Sequence, residues 1–187
     1  MLVTNISVMR KNWTDLVSAV ERVDRRPGNR RSEGEISGQT TIDDTDKRIL
    51  RHLLHDGRAS LRHLATELGL SPTTVASRVA RLEKERVVRG YAGIVDSQIL
   101  GYDLTAVTEI LVSKGKLLEM EKEIAKLPGV CAVYDVTGEI DGIIVAKFRD
   151  REELSRFTKG LLTMPFVERA ITHVVLTTVK EDFRLPV

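Results

Sequence analysis

The residues with the plainest chemical purpose lie between positions 71 and 81. Ser71 caps a helix and Pro72 suits its first position. Behind them Val75, Val79 and Leu82 recur at i, i+4 and i+7, an apolar stripe that fixes the rotation of that helix. With the stripe turned inward, Thr73, Thr74, Ser77, Arg78 and Arg81 face outward. Small hydroxyl residues let a helix approach base edges closely, and arginine reaches phosphates or guanine in the major groove. The start of the helix is itself a modest anion site. The chemistry implied for Ser71, Pro72, Thr73, Thr74, Ser77, Arg78 and Arg81 is contact with double-stranded DNA, although a protein-binding bundle of three short helices carries the same stripe.

A second constellation is Thr137-Gly138-Glu139-Ile140-Asp141. Gly138 admits a positive φ and so presents backbone N–H groups to a carboxylate. Asp141 suits an ammonium group, Thr137 and Glu139 add hydrogen-bonding groups, and Tyr134 lies close in sequence. An amino acid needs both kinds of partner; a plain hairpin turn chooses glycine and aspartate for geometry alone. Other reactive residue types form no such set. Cys131 lies in an apolar run and reads as a small buried side chain. His52, His55 and His63 lack companion ligands and His173 is remote, so no metal or cofactor is expected. Phosphate-loop, dinucleotide and nucleophile-elbow motifs are missing from the sequence.

The elements that position these groups follow from pattern. Asp43 caps a helix carrying Ile49, Leu50, Leu53 and Leu54, with Asp44 and Asp46 at its positive end. Asp56-Gly57 breaks it, and Ser60 caps a second helix facing inward through Leu61, Leu64, Ala65 and Leu68. Gly69 follows, placed for a left-handed turn into the helix at Ser71. Residues 87–95 read as extended. Beyond them come a strand over 105–112, a helix over 116–127, a strand over 130–137, a turn, and a strand over 143–148. A helix capped by Asp150, with Glu153 completing a capping box, runs to 164, and 167–180 is extended. The order is βαββαβ, with Leu127-Pro128-Gly129-Val130 echoed by Met164-Pro165-Phe166-Val167.

The expected class is α+β: a winged helix-turn-helix domain over 42–92, a connecting strand or hinge over 93–104, and a ferredoxin-like domain over 105–187. Residues 1–41 differ from the rest. Trp13, Leu16, Val17, Val20 and Val23 suit a short amphipathic helix, followed by a Pro-, Gly- and Arg-containing linker. Net charge is +2, so a nucleic-acid surface requires local clustering of Arg and Lys. No apolar run nears the roughly 20 residues of a membrane helix, and the N-terminus does not read as a secretory signal, so the cytoplasm is the expected location.

Several segments together resemble the Lrp/AsnC, or feast/famine, regulator family. They are residues 42–46, Asp56-Gly57-Arg58, Leu64 through Ser71, Arg78-Val79-Ala80-Arg81-Leu82-Glu83, Gly90-Tyr91, Leu100-Gly101, Leu127-Pro128-Gly129-Val130, Thr137-Gly138-Glu139-Ile140-Asp141, and 175–180. The resemblance implies a regulator that binds operator DNA, a second domain that dimerises through its sheet, and assembly to octamers or larger rings. It also implies an amino acid or related metabolite as effector, which assigns Tyr134, Thr137, Gly138, Glu139 and Asp141 to its binding. The alternatives are a siroheme-type decarboxylase on the same scaffold and an architectural DNA-binding protein without effector. One departure stands out: Arg86 occupies the place of the family's usual glycine after the recognition helix, where a left-handed residue other than glycine costs roughly 1 kcal/mol.

Overall fold

The computed structural model describes residues 41–113 and 115–187. The amphipathic helix and linker expected before residue 41 lie outside the described residues. The chain divides into two compact units, one holding residues 41–95 together with Lys180–Val187, the other Asp96–Val179.

In the helical unit each helix begins where a side chain satisfies its free N–H groups. Helix α1 spans Asp44–His55 behind a reciprocal cap, in which Asp46 N–H donates to Asp43 Oδ1 at 2.8 Å and Asp43 N–H donates to Asp46 Oδ2 at 3.1 Å. Helix α2, Leu61–Leu68, starts at Ser60, whose Oγ accepts His63 N–H, and ends at Gly69 with φ 65°. Helix α3, Pro72–Lys84, starts at Ser71, whose Oγ accepts Thr74 N–H at 3.1 Å. Ile49, Leu50, Leu64, Leu68, Val75, Val79 and Leu82 are buried together as the core.

Two expectations change here. Residues 87–95 form no strand, so the wing implied by an extended reading is not paired into a ladder. Val88 instead packs against the helical core and donates to the Leu82 carbonyl at 3.1 Å. The tail Lys180–Val187, expected to close the second domain, belongs to the helical unit. There Val187 packs on the core and its carbonyl oxygen accepts from Arg51 Nε.

The second unit follows the expected order: β1 Leu104–Val112, α4 Leu117–Ile124, β2 Val130–Asp135, β3 Gly142–Phe148, α5 Arg151–Thr163 and β4 Val167–Val174. The strands lie in the order β2-β3-β1-β4 with antiparallel neighbours, the ferredoxin-like arrangement. One sheet face, with Ala106, Ile110, Ile144, Ala146 and Phe148, meets Met120 and Ile124 of α4 and Phe157 and Leu161 of α5. The other face carries Val107, Leu111, Ile143, Val145 and Ile171 at alternating positions, and none of these is fully buried.

The two half-units match in backbone as well as in sequence. Gly129 has φ 80° and Phe166 φ 79°. The Gly129 carbonyl accepts Lys147 N–H at 2.8 Å, and the Phe166 carbonyl accepts Ser113 N–H at 2.9 Å. They differ in space: a Cβ on Gly129 would lie 2.3 Å from the Lys147 carbonyl oxygen.

Two local expectations are corrected. Cys131 is exposed, because the register of β2 shifts between Val130 and Ala132 and takes it out of the alternation. At α5, Asp150 accepts Glu153 N–H at 2.7 Å, but Glu153 Oε2 accepts from Arg149 N–H, one residue before the cap, so the box does not close on Asp150.

Candidate nucleic-acid interface and effector turn

Burial of Val75, Val79 and Leu82 orients α3, and it leaves Thr73, Ser77, Ala80 and Lys84 exposed. These four are spaced 4, 3 and 4 apart and therefore line one face. The face offers two hydroxyls, a methyl and an ammonium, with no bulky side chain to hold the helix away from a groove. Ser77 Oγ donates back to the Thr74 carbonyl at 3.1 Å, which leaves its lone pairs as acceptors. Ser71 and Thr74 sit at the helix start with their oxygens 2.8 Å apart, so both serve the cap. Pro72 is exposed beside them.

The expectation for Arg78 and Arg81 needs correction. The sequence pattern points them freely outward; in the structure carboxylates of α1 and its cap hold both. Arg78 Nη1 lies 2.6 Å from Asp43 Oδ2 and 3.0 Å from Asp46 Oδ1, and Arg81 Nη2 binds Asp46 Oδ2. Asp46 is fully buried, while the arginine side chains stay 29% and 37% exposed. Arg81 also reaches the Thr41 carbonyl at 3.4 Å. Hydrogen bonds from Arg78 hold the Asp43 carboxyl below its ordinary pKa. Burial pushes Asp46 up, but Arg81, the Asp43 N–H and Arg78 outweigh it and the net shift is downward. Both arginines are raised in turn by these carboxylates.

Sequence reasoning placed Asp43 and Asp46 at a helix start and the arginines on an outward face. It did not pair them, because nothing in either pattern shows the two helices crossing. It also omitted Ala80 and Lys84, although continuing the Thr73–Ser77 spacing by 3 and then 4 finds both. Net positive charge lies in this unit: residues 41–95 with 180–187 hold twelve Lys and Arg against nine Asp and Glu, whereas 96–179 hold ten against thirteen. Arg58, Arg62, Arg86 and Arg89 are exposed here, and Arg86 takes the left-handed conformation, φ 58°.

The structure brings Thr137, Gly138, Glu139 and Asp141 into the turn joining β2 to β3. Thr137, Gly138 and Glu139 are exposed, and Gly138 has φ 135° with open space where a Cβ would stand. Asp141 is already engaged: its Oδ2 accepts Val112 N–H at 2.7 Å and its own N–H donates to the Ile110 carbonyl. It ties the turn to the end of β1, leaving Oδ1 for any further partner. Tyr134 is exposed on β2 of the same hairpin, opposite Ile143.

Comparison with known proteins agrees with both halves. The model of the AsnC-type helix-turn-helix domain matches residues 42–83, and that of the Lrp/AsnC ligand binding domain matches 105–185. An HTH-type transcriptional regulator of Pyrococcus abyssi is 45% identical over 144 residues, 77% of this chain and 98% of the relative. The HTH-type transcriptional regulator FL11 of Pyrococcus horikoshii is 34% identical, over 78% of this chain and 97% of its own. Among solved structures, a transcriptional regulator from Neisseria meningitidis in complex with L-Met is 30% identical, with TM-score 0.72, over 78% of this chain and 97% of that one. The feast or famine regulatory protein of M. tuberculosis complexed with L-methionine is 30% identical, with TM-score 0.70, over 78% and 99%.

Proposed function

Since this chain belongs to the Lrp/AsnC family of DNA-binding transcriptional regulators, we propose that it reads operator DNA through the Thr73–Ser77–Ala80–Lys84 face of α3 and that an amino acid bound at the 137–141 turn adjusts assembly or DNA affinity. The observation that carries the first part is that face: small, hydroxylated, exposed, and locked in rotation by the buried stripe behind it. Ser71, Pro72 and Thr74 set the helix start against the phosphates. Arg78 and Arg81 act as positioning residues that hold α3 to α1, with their remaining N–H groups available to phosphate.

The test is fluorescence anisotropy with the promoter region of its own gene across a salt series. Log K should fall with log salt by about 0.9 per phosphate neutralised, and Lys84→Ala should lower that slope by about one contact. Absence of binding to any duplex at low salt would sink the reading.

The effector part is supported by the L-Met complexes of two relatives and by the exposed, positive-φ turn here. Thermal unfolding with a panel of L-amino acids, L-methionine first, should show stabilisation by mass action, weakened in Glu139→Ala and Gly138→Val. DNA binding intact with no stabilisation by any of them favours an effector-independent architectural role. The open sheet face, with Val107, Ile143, Val145 and Ile171, suits a homodimer, and dimers of this family's kind build octamers or larger rings. Among the described residues no helix is long and apolar enough to cross a membrane, which fits a place in the cytoplasm beside the DNA.

A further inference from the structure

A cavity of about 170 Å³ opens at the end of the sheet where β3 leads into α5, and neither the α3 face nor the 137–141 turn contributes to it. Its floor is apolar: Leu127, Phe148 and Phe157 are buried, with the two rings 5.0 Å apart. Its wall is basic. Arg149 and Arg156 line it, against a single carboxylate, Glu153; Lys147 lines it too, with its Nζ donating to Ser97 Oγ at 3.3 Å. Glu153 already accepts the Arg149 backbone N–H at 2.9 Å. Tyr102 lies beneath the Arg149 guanidinium, 5.1 Å from ring centroid to Cζ, and so holds that fork at the rim.

We infer that this cavity binds a small organic carboxylate with a compact apolar body, of the 2-oxo acid or arylacetate type. Two guanidiniums and one engaged carboxylate leave an excess of positive charge that an anion neutralises. Arginine meets a carboxylate with two parallel N–H donors. An apolar cavity of about 150 Å³ holds benzene, so the volume here suits roughly six to ten non-hydrogen atoms. A zwitterionic amino acid fits less well, since its ammonium would stand beside two guanidiniums with Glu153 as the one lining carboxylate to meet it. A bare phosphate would leave the aromatic floor wet. The start of α5 does not supply the site, because Asp150 already caps it. Gly129 keeps the mouth bare: any Cβ there would meet the Lys147 carbonyl, so no side chain fills the opening.

The test is isothermal titration and thermal unfolding of the full chain with phenylacetate and 4-methyl-2-oxopentanoate, with L-leucine and inorganic phosphate alongside. Both carboxylates should bind saturably and raise the unfolding midpoint. Arg149→Gln/Arg156→Gln should weaken them about tenfold or more with an unchanged circular dichroism spectrum, since charge-assisted bonds are lost at exposed positions. Asp141→Asn should leave them unchanged, separating this cavity from the 137–141 turn. No saturable binding up to roughly 10 mM, a site too weak to be specific, overturns the inference. So do unchanged affinity in the double variant, L-leucine binding as tightly as its 2-oxo counterpart, and phosphate binding alone.

Discussion

Asp46 does three things with one carboxylate: it closes the cap of α1, binds Arg78, and binds Arg81. A fully buried carboxylate survives only with partners for both oxygens, and here both are engaged. Asp46→Ala should therefore cost roughly 2–4 kcal/mol in urea unfolding, because it removes the cap and strips two arginines of their counter-ion. The same group sets an acid limit. Asp43 and Asp46 are depressed below 3.8, so their contribution is complete above that value and is lost as pH falls through their folded-state pKa values. The unfolding midpoint should fall below about pH 4, and more shallowly in Asp46→Asn. Arg86 gives the opposite sign. It holds φ 58° without a side-chain need evident in the structure, so Arg86→Gly should raise stability by roughly 1 kcal/mol.

At the scale of elements, the paired half-units show how one backbone bend tolerates different residues. Gly129 and Phe166 share the left-handed conformation and the same carbonyl bond to the neighbouring strand. Only at Gly129 does a carbonyl close the space above Cα. Gly129→Ala should cost roughly 2–4 kcal/mol, since strain and a backbone clash add. Phe166→Gly should be nearly neutral: it relaxes φ but removes the ring that Lys116 Nζ approaches to 5.4 Å. Chemical denaturation of both variants checks the asymmetry. The echo of the two Leu/Met-Pro-X-Val segments is legible in the sequence, but which copy is crowded is not, because the crowding atom belongs to Lys147.

For the whole molecule, the distribution of charge and of uncovered apolar surface separates two tasks. The excess of cations lies in the helical unit and the excess of carboxylates in residues 96–179. The open sheet face carries Ile143 and Val145 beside Val107 and Ile171, and on that face Glu109 and His173 lie 3.4 Å apart. The proposed homodimer would cover these apolar rows. Val145→Glu should lower the mass seen by analytical ultracentrifugation from oligomer toward monomer while the helical unit stays folded by circular dichroism. An unchanged mass removes the sheet face from the assembly.

Much that is local is legible in the amino-acid sequence alone: the caps at Asp43, Ser60 and Ser71, the left-handed turn at Gly69, the inward stripe of α3, and the βαββαβ order. These depend on neighbours within about one helical turn or one strand alternation, so periodicity and side-chain type suffice. What Arg78 and Arg81 hold, that Asp141 ties its turn to β1, that a bulge turns Cys131 outward, and that the last eight residues join the helices emerge from the folded chain alone. Each of those depends on which distant backbone or carboxylate stands opposite, and that is set by packing rather than by spacing along the chain.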